Sequence, residues 1–314
     1  MKRAVAIACV ILALLCTLWG CRTNARQEEE LSGTAGIPKP TALPERTEPT
    51  GKQRVVIPEP TPMPRVEAEW YIKRNSELKA MLRRNGSFQN RRDIEKAVDR
   101  MYIDPDKPMV ALTFDDGPVP GVTDKILDTL ERYNVRATFF IVGARLKKAE
   151  PVELVKRAIS LGCEIGNHTW AHEKLTNLSK GAQRDTIKRT NEKVYEETGY
   201  VMRDLRPPGG YSDEYVCSVA KELDMAVVKW AQSGNVMERD PEKIAQNVQK
   251  QIVNGKELDA GDIILLHDTK TWMVDAVNII VPQLLDEGYQ LVTVWELLNS
   301  SEQGFVPGTV YHHK

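Results

Sequence analysis

From residue 109 onwards the sequence alternates between short apolar runs rich in β-branched residues and longer amphipathic stretches, which limits the fold more than any other feature. Strands are predicted at 109–114, 137–142, 164–167, 226–230, 262–266 and 290–293, with a weaker one near 205, and helices at 122–133, 151–161, 180–198, 213–223, 241–251 and 272–287. Such alternation favours parallel strands joined by crossover helices. The pattern alone leaves two α/β folds open, a closed barrel and a doubly wound sheet.

The first segment of the chain has the features of an export signal. Lys2 and Arg3 precede an apolar run over residues 4–19, and that run is short for a membrane span, which needs about 20 apolar residues. It ends in Leu-Trp-Gly-Cys at Cys21, which resembles a bacterial lipobox, the site at which a lipoprotein is cut and lipidated. We expect an exported protein at the outer face of the cytoplasmic membrane or in the cell wall. Lipidation at Cys21, a retained N-terminal helix and ordinary cleavage are the alternatives.

The region between the signal (1–21) and the alternating part divides into two segments. Residues 22–65 contain eight prolines between positions 38 and 64 and no aromatic residue, so they are predicted to form a disordered linker. Residues 66–106 show the helical spacing of apolar positions and form a predicted helical preface. The linker gives an anchored domain the reach to act well above a bilayer.

Charge and cysteine content narrow the classes of partner. Lys and Arg total 43 and Asp and Glu total 44, so no strong overall field attracts a nucleic acid. Three of the five cysteines lie within residues 1–21, which leaves Cys163 and Cys217 in the body of the chain. A single pair of cysteines makes no disulfide framework. The sequence leaves two alternatives for this pair, two buried free thiols or one disulfide bridge. The sequence does not predict the oligomeric state.

Polar side chains collect where the predicted strands end, which is where α/β proteins place their chemistry. The first strand ends in Asp115 and Asp116, the third is followed by His168 and His172, and a late strand ends in His267. These three are the only histidines outside the last three residues of the chain. A catalytic zinc takes three protein ligands of nitrogen and oxygen type and keeps one position for water. The strand ends are therefore predicted to hold such a metal.

Four short motifs carry a resemblance to a known family. They are TFDDGP at 113–118, HTWAH at 168–172, RPPGG at 206–210 and LLH at 265–267. In this order they resemble the motifs of the polysaccharide deacetylases, carbohydrate esterase family 4, also called the NodB homology domain. The resemblance implies a distorted (β/α)7 barrel over residues 107–300, followed by a tail at 301–314. It also implies hydrolytic removal of acetyl groups with the aid of Zn²⁺ or another divalent metal such as Co²⁺.

The same resemblance implies roles for individual residues. Asp115 is implied to be the general base, Arg206 to pair with it and steady it, and His267 to be the general acid. The implied metal ligands are Asp116, His168 and His172.

Five further residues are predicted to contact the substrate. The resemblance implies that Leu265 lines the pocket of the acetyl methyl group and that the backbone N–H of Gly209 shares the charge of the oxyanion. The family usually has a bulky tyrosine at the position of Gly209, and Tyr211 is expected to fill part of the space. Trp170 and Trp230 lie beside the motifs, where each ring either stacks on a sugar or packs against the barrel rim.

One departure bears on the general acid. The family's fourth motif has aspartates and a tryptophan, whereas the segment after Trp230 has no carboxylate before Glu238. His267 is therefore expected to lack the partner that keeps its pKa high. Either Asp268 or another group replaces that partner, or turnover is slow.

The leading hypothesis is N-deacetylation of N-acetylglucosamine-type residues in a polysaccharide, with peptidoglycan favoured by the expected location. Chitin oligomers, exopolysaccharide and acetylxylan are alternative substrates. A different class of function, motivated by the altered fourth motif, is a surface carbohydrate-binding protein that has lost efficient catalysis.

Overall fold

The structure is a computed structural model that describes residues 103–104, 106–234, 237–250, 257–301 and 304–314, together with Ser76, Lys79 and Ala80. The expected signal segment with Cys21, the expected linker and most of the helical preface lie outside the described residues. The three isolated positions are helical, as the preface predicts. No helix within the described ranges has both the length and the apolar content needed to cross a bilayer.

Nine strands and seven α-helices are found in the described part of the chain. The strands are β1 (Met109–Asp115), β2 (Thr138–Ile141), β3 (Glu164–Asn167), β4 (Asp204–Leu205), β5 (Ala226–Val228), β6 (Gln232–Ser233), β7 (Ile263–His267), β8 (Gln290–Val292) and β9 (Val310–Tyr311). The helices are α1 (Thr123–Tyr133), α2 (Ala149–Ser160), α3 (Lys180–Thr198), α4 (Glu214–Glu222), α5 (Pro241–Lys250), α6 (Thr271–Asp286) and α7 (Val294–Asn299). Every strand and helix predicted from residue 109 onwards is confirmed, and β6, β9 and α7 are additions.

The strands form one curled parallel sheet. Their order is β6-β7-β1-β2-β3-β4-β5-β9, and β8 also pairs with β1. Beyond β9 the chain returns towards β7, where His313 bridges Asp262 and the N–H of Lys314 donates to the carbonyl of Gly261 at 2.8 Å. The last segment thus contacts both β5 and the start of β7, so the sheet is curled round as in a distorted barrel. The doubly wound alternative is excluded.

Alternation along β1 separates the two sides of the barrel wall. Val110, Leu112 and Phe114 belong to the large apolar cluster that packs the sheet against the helices. Residues of the other parity point to the interior, where Met109 and Ala111 join a smaller cluster. The two remaining inward positions of β1 are the polar residues Thr113 and Asp115, at the carboxyl end where the site forms.

A network of buried charges closes the other end of the barrel. Helix α7 begins with a capping box, and the carboxylate of Glu296 in that box also accepts a hydrogen bond from Arg136 at 3.1 Å. Nearby, Glu164 accepts from the Thr138 hydroxyl at 2.8 Å. Burial raises the pKa of both Glu164 and Asp204, and the neighbouring Glu164 raises the pKa of Asp204 further. This end contributes stability and lies away from the strand ends that carry the motifs.

Two expectations about the chain's ends and cysteines have definite outcomes. The sequence assigns residues 301–314 to a tail, but Val310 and Tyr311 form β9 and pair in parallel with β5. The domain therefore extends beyond residue 300. Cys163 and Cys217 are both free thiols, so the bridge is not formed.

Candidate metal centre and active site

Three side chains with ligand atoms converge at the ends of β1 and β3. The Nε2 atoms of His168 and His172 lie 3.4 and 3.1 Å from Oδ1 of Asp116. All three ligand atoms lie within 4.8 Å of one another, and no second group of this kind occurs in the described residues. Zinc bonds of about 2.0–2.2 Å place neighbouring ligands of a tetrahedral site about 3.3 Å apart. The observed separations fit such a site.

Hydrogen bonding orients these groups as acceptors. Nδ1 of His168 lies 2.7 Å from the carbonyl oxygen of Arg206, and because a carbonyl only accepts, Nδ1 carries a proton and Nε2 is the nitrogen that faces Asp116. Oδ1 of Asp116 is buried without a hydrogen-bond donor among the described residues. Burial raises the pKa of Asp116, but His168, His172 and His267 together outweigh that effect and lower it to about 2. An anionic oxygen and an imidazole lone pair aimed at one point are what a divalent cation binds.

The loop after β3 is held in a strained conformation. Thr169 and His172 have positive φ values of 65° and 60°, and Asp116 has 74°. Such conformations cost on the order of 1–3 kcal/mol each and persist where surrounding bonds enforce them. Here the buried Asn167 side chain accepts from the N–H of Thr169 at 2.8 Å and donates to the carbonyl of Ile187 at 2.8 Å. The fold thus stabilises the placement of two histidines.

Arg206 fixes Asp115 beside the ligand cluster. Its Nη1 donates to Oδ1 of Asp115 at 2.8 Å and to the Thr113 hydroxyl at 2.6 Å, and its Nη2 donates to the carbonyl of Lys229 at 2.9 Å. The arginine is fully buried, and its guanidinium lies 4.0 Å from the centre of the Phe140 ring. The pairing of Arg206 with Asp115 agrees with the sequence prediction. Thr113 was not predicted, although its inward position in the first motif was a usable signal.

His267 lies on the opposite side of the site from His168 and His172. It ends β7, and its backbone is the register partner of Asp115. A cavity of about 280 Å³ opens beside it and includes Leu265 and Ser233 in its wall. Burial lowers the pKa of His267, against the opposing effect of Asp115 and Asp116. Within the described residues no carboxylate forms an ion pair with His267, and Glu238 instead accepts from the backbone N–H groups of residues 239 and 240.

Asp268 does not replace the missing partner of His267. Its carboxylate is fully buried and accepts a hydrogen bond from the Thr123 hydroxyl at 2.6 Å. It packs so closely on Gly117 that a Cβ atom at residue 117 would lie 2.0 Å from Oδ2. Asp268 therefore supports the loop that carries Asp116, and the expectation that it substitutes for the fourth-motif carboxylates is wrong.

Comparison with known proteins decides the family. The family model described as polysaccharide deacetylase matches residues 102–228. A peptidoglycan-N-acetylglucosamine deacetylase of Bacillus cereus is 38% identical over 195 residues, which cover 60% of this chain and 88% of that protein. This chain belongs to the polysaccharide deacetylase family.

Other family members match over smaller parts of their length. The peptidoglycan-N-acetylmuramic acid deacetylase PdaC of Bacillus subtilis is 38% identical over 204 residues, which cover 64% of this chain. This chain spans less than half of that relative, 41%, and 46% of the peptidoglycan-N-acetylglucosamine deacetylase PgdA of Listeria monocytogenes.

Solved structures of polysaccharide deacetylases share the barrel. The structure of PdaC matches with a TM-score of 0.59 and 35% identity, covering 64% of this chain and 95% of that chain. A family 4 acetyl xylan esterase from Clostridium thermocellum, in complex with a cobalt ion, matches with a TM-score of 0.58 and 30% identity, covering 65% and 98%. A mutant of a family 4 pseudoenzyme with restored activity matches with a TM-score of 0.56 and 28% identity, covering 63% and 70%. The predicted (β/α)7 barrel of carbohydrate esterase family 4 is confirmed.

The loop after β4 shows how this deacetylase-family chain departs from its family's pattern. Gly209 and Gly210 have positive φ values of 66° and 72°. The Tyr211 ring lies over Gly209, where a Cβ atom would be 2.7 Å from Cε2, and the Trp230 ring lies over Gly210, where a Cβ would be 3.2 Å from Cη2. As predicted, Tyr211 fills the space above Gly209, and its side chain is 52% exposed. Trp230 packs on the loop.

Trp170 is a packed rim aromatic. The Arg189 guanidinium lies 3.7 Å from the centre of its ring, and the ring also packs against Gly143, where a Cβ atom would lie 2.7 Å from Cε3. The sequence leaves two alternatives for Trp170, stacking on a sugar or packing against the barrel rim, and the observed contacts are those of packing. Nothing in the sequence predicts that Arg189, nineteen positions further along the chain, covers it.

Proposed function

We propose that this protein is a metal-dependent hydrolase that removes acetyl groups from N-acetylated sugars of a polysaccharide, releasing acetate. The observation that carries the proposal is the pairing of a three-ligand cluster with a buried carboxylate on one side and a histidine on the other. Asp116, His168 and His172 are the residues that bind Zn²⁺ or a similar divalent ion such as Co²⁺. When bound, the ion supplies a Lewis acid that polarises the acetamide carbonyl.

The remaining residues divide the proton transfers between them. Asp115 accepts a proton from the attacking water, and the hydrogen bond from Arg206 to its Oδ1 holds its carboxylate in place. His267 donates a proton to the departing amine, which is otherwise a poor leaving group. The N–H of Gly209 donates to the developing oxyanion, and Leu265, which lines the cavity beside His267, contacts the acetyl methyl. Burial lowers the pKa of His267, which disfavours the protonated form that this step requires.

Peptidoglycan is the substrate that we favour. Relatives that match at 38% identity are deacetylases of its two amino sugars, N-acetylglucosamine and N-acetylmuramic acid. Chitin oligomers, exopolysaccharide and acetylxylan are the alternatives, the last because an acetyl xylan esterase shares the fold. All of them present an acetyl group on a sugar ring.

Acetate release tests the proposal. The purified protein is incubated with soluble peptidoglycan fragments, N-acetylglucosamine oligomers and acetylxylan, each with Zn²⁺ and with excess chelator. We expect acetate from peptidoglycan fragments in the presence of metal and none with chelator. Release that persists after complete metal removal would contradict the assignment of Asp116, His168 and His172.

A second candidate is a carbohydrate-binding protein with little turnover. The absence of an ion pair to His267 within the described residues favours it, and the family includes a pseudoenzyme. Calorimetric titration with the same fragments separates the two functions. Tight binding without acetate release identifies the binding protein, whereas release at a measurable rate excludes it.

We also propose that the protein is exported and attached to the membrane through Cys21, a position outside the described residues. The support is the sequence alone: a basic start, an apolar run and a lipobox-like end. In a bacterial host, Cys21→Ser is expected to abolish labelling with a radioactive fatty acid. Unchanged labelling of the variant would contradict lipidation at this residue.

A further inference from the structure

The loops that follow β3 and β4 place a cation on an exposed aromatic ring beside the metal centre. Lys174 lies two residues after the ligand His172, and its Nζ lies 3.6 Å from the centre of the Tyr211 ring. Tyr211 in turn covers Gly209, whose N–H faces the reaction in the proposed mechanism. The pair, called here the Lys174–Tyr211 wall, therefore lies beside both a proposed metal ligand and the proposed oxyanion donor.

Carboxylates close to this pair in sequence are already engaged with their own loops. Oε2 of Glu173 accepts from the N–H of Ala171 at 2.8 Å and from the Thr186 hydroxyl at 3.0 Å. Oδ1 of Asp213 accepts from the N–H of Val216 at 2.8 Å, which caps helix α4.

Lys174 itself has no carboxylate partner among the residues that the structure describes. An ammonium group has three donors, and a ring on one side leaves the others to solvent. The wall thus presents a positive charge that its own loops do not neutralise.

We propose that Lys174 and Tyr211 recognise a carboxylate carried by the substrate, so that the enzyme prefers an acidic glycan to a neutral one. The inference rests on the proposed function and adds the substrate's chemistry. N-Acetylmuramic acid differs from N-acetylglucosamine by a lactyl ether that ends in a carboxylate. In peptidoglycan with stem peptides that group is an amide, and the peptide provides carboxylates instead. The Tyr211 ring holds the ammonium group in place, and Lys174 meets the charge.

The experiment compares three substrates that differ in carboxylates. N-Acetylglucosamine oligomers have none, glycan fragments without peptides have the lactyl carboxylate, and glycan fragments with stem peptides have peptide carboxylates. For each substrate, kcat/KM is measured by acetate release and the affinity by calorimetry. Each quantity for an acidic substrate is then divided by the same quantity for the neutral substrate, which gives the acidic-to-neutral ratio. Lys174→Gln is expected to lower that ratio about 5-fold, as for an exposed charge pair, and Lys174→Glu to lower it further. Raising the ionic strength lowers the wild-type ratio in the same direction.

The chain offers a matched control. Lys180 lies over the ring of Tyr215 at 5.2 Å, at the start of helix α3, and takes no part in the proposed site. Lys180→Gln is expected to leave the ratio unchanged. A ratio that falls for peptide-free glycan identifies the lactyl carboxylate, and one that falls only for peptide-bearing glycan identifies the peptide.

Two results separate the inference from the proposed function. If acetate is released and the ratios for Lys174→Gln equal those of the wild type on both acidic substrates, the inference is wrong and the deacetylase stands. If no substrate releases acetate, the deacetylase proposal fails. In that case the affinities are compared instead: an acidic-to-neutral affinity ratio that is lower for Lys174→Gln than for the wild type supports the inference, and an equal ratio contradicts it.

Discussion

Asp268→Asn tests whether the buried carboxyl group of Asp268, which supports the loop that carries Asp116, makes the free energy of unfolding depend on pH. Burial raises the pKa of Asp268 from 3.8 to about 7, with the hydrogen bond from Thr123 opposing the change. One pKa unit corresponds to about 1.4 kcal/mol, so the native state favours the neutral carboxyl by about 4 kcal/mol. Because the folded-state pKa is the higher one, the native state binds more protons between these two values. The stabilisation is complete below about pH 4 and is lost as the pH rises through about 7.

Asparagine resembles the neutral carboxyl and does not ionise. The difference in free energy of unfolding between Asp268→Asn and wild type is therefore expected to shift in favour of the variant by up to about 4 kcal/mol as the pH is raised from about 4 to about 8. Urea unfolding at a series of pH values, with chelator present so that metal binding does not contribute, measures this difference. Asp213→Asn is the control: Asp213 is an exposed N-cap that asparagine also supplies, and its curve should parallel that of the wild type. A pH-independent difference for Asp268→Asn would refute the reasoning.

Three further predictions concern the site and its loops. Asp115→Asn should keep Zn²⁺ affinity, measured by competition with a chelating dye, and lower kcat by about 100-fold or more; an unchanged kcat shows that Asp115 is not the base. Arg206→Lys keeps a positive charge but loses the planar guanidinium that joins Asp115, Thr113 and the carbonyl of Lys229. We expect kcat to fall at least about 10-fold with little change in KM. A wild-type kcat would contradict a positioning role for Arg206. Gly210→Ala forces a Cβ atom to 3.2 Å from Trp230 at a φ of 72° and should lower the free energy of unfolding by about 1–3 kcal/mol. The control is Gly181→Ala, in a helix with open space around it, which should not destabilise the protein. Equal effects of the two substitutions would contradict backbone strain at residue 210.

The sequence predicted the barrel's main elements because each is long enough for its periodicity to show. Helix α3 and strand β3 begin and end where the pattern places them. Strands β6 and β9 have two residues each, which is too short for an alternation to be recognised, and β4, of the same length, gave only a weak signal. They exist because neighbouring strands offer free backbone groups, a cause that lies in the curled sheet and not in local sequence.

The site was predictable to the extent that its chemistry lies in contiguous motifs. Asp116, His168 and His172 meet because parallel strands bring their carboxyl ends to one edge. Contacts made by residues outside these motifs were not predictable: Asp268 reaches Thr123, 145 residues away, and Arg189 covers Trp170. Such contacts depend on which helix packs over which loop, and a single sequence carries no local signal for that.

Gly209 and Tyr211 cannot vary independently of each other. A side chain introduced at residue 209 meets the Tyr211 ring, and removing that ring alone leaves the groove without its wall. A change from this arrangement to the family's usual aromatic residue at 209 therefore passes through an intermediate with either a collision or a gap. The two residues must therefore be exchanged together. A chimera that takes only one of them from a relative has a collision or a gap that neither parent protein has.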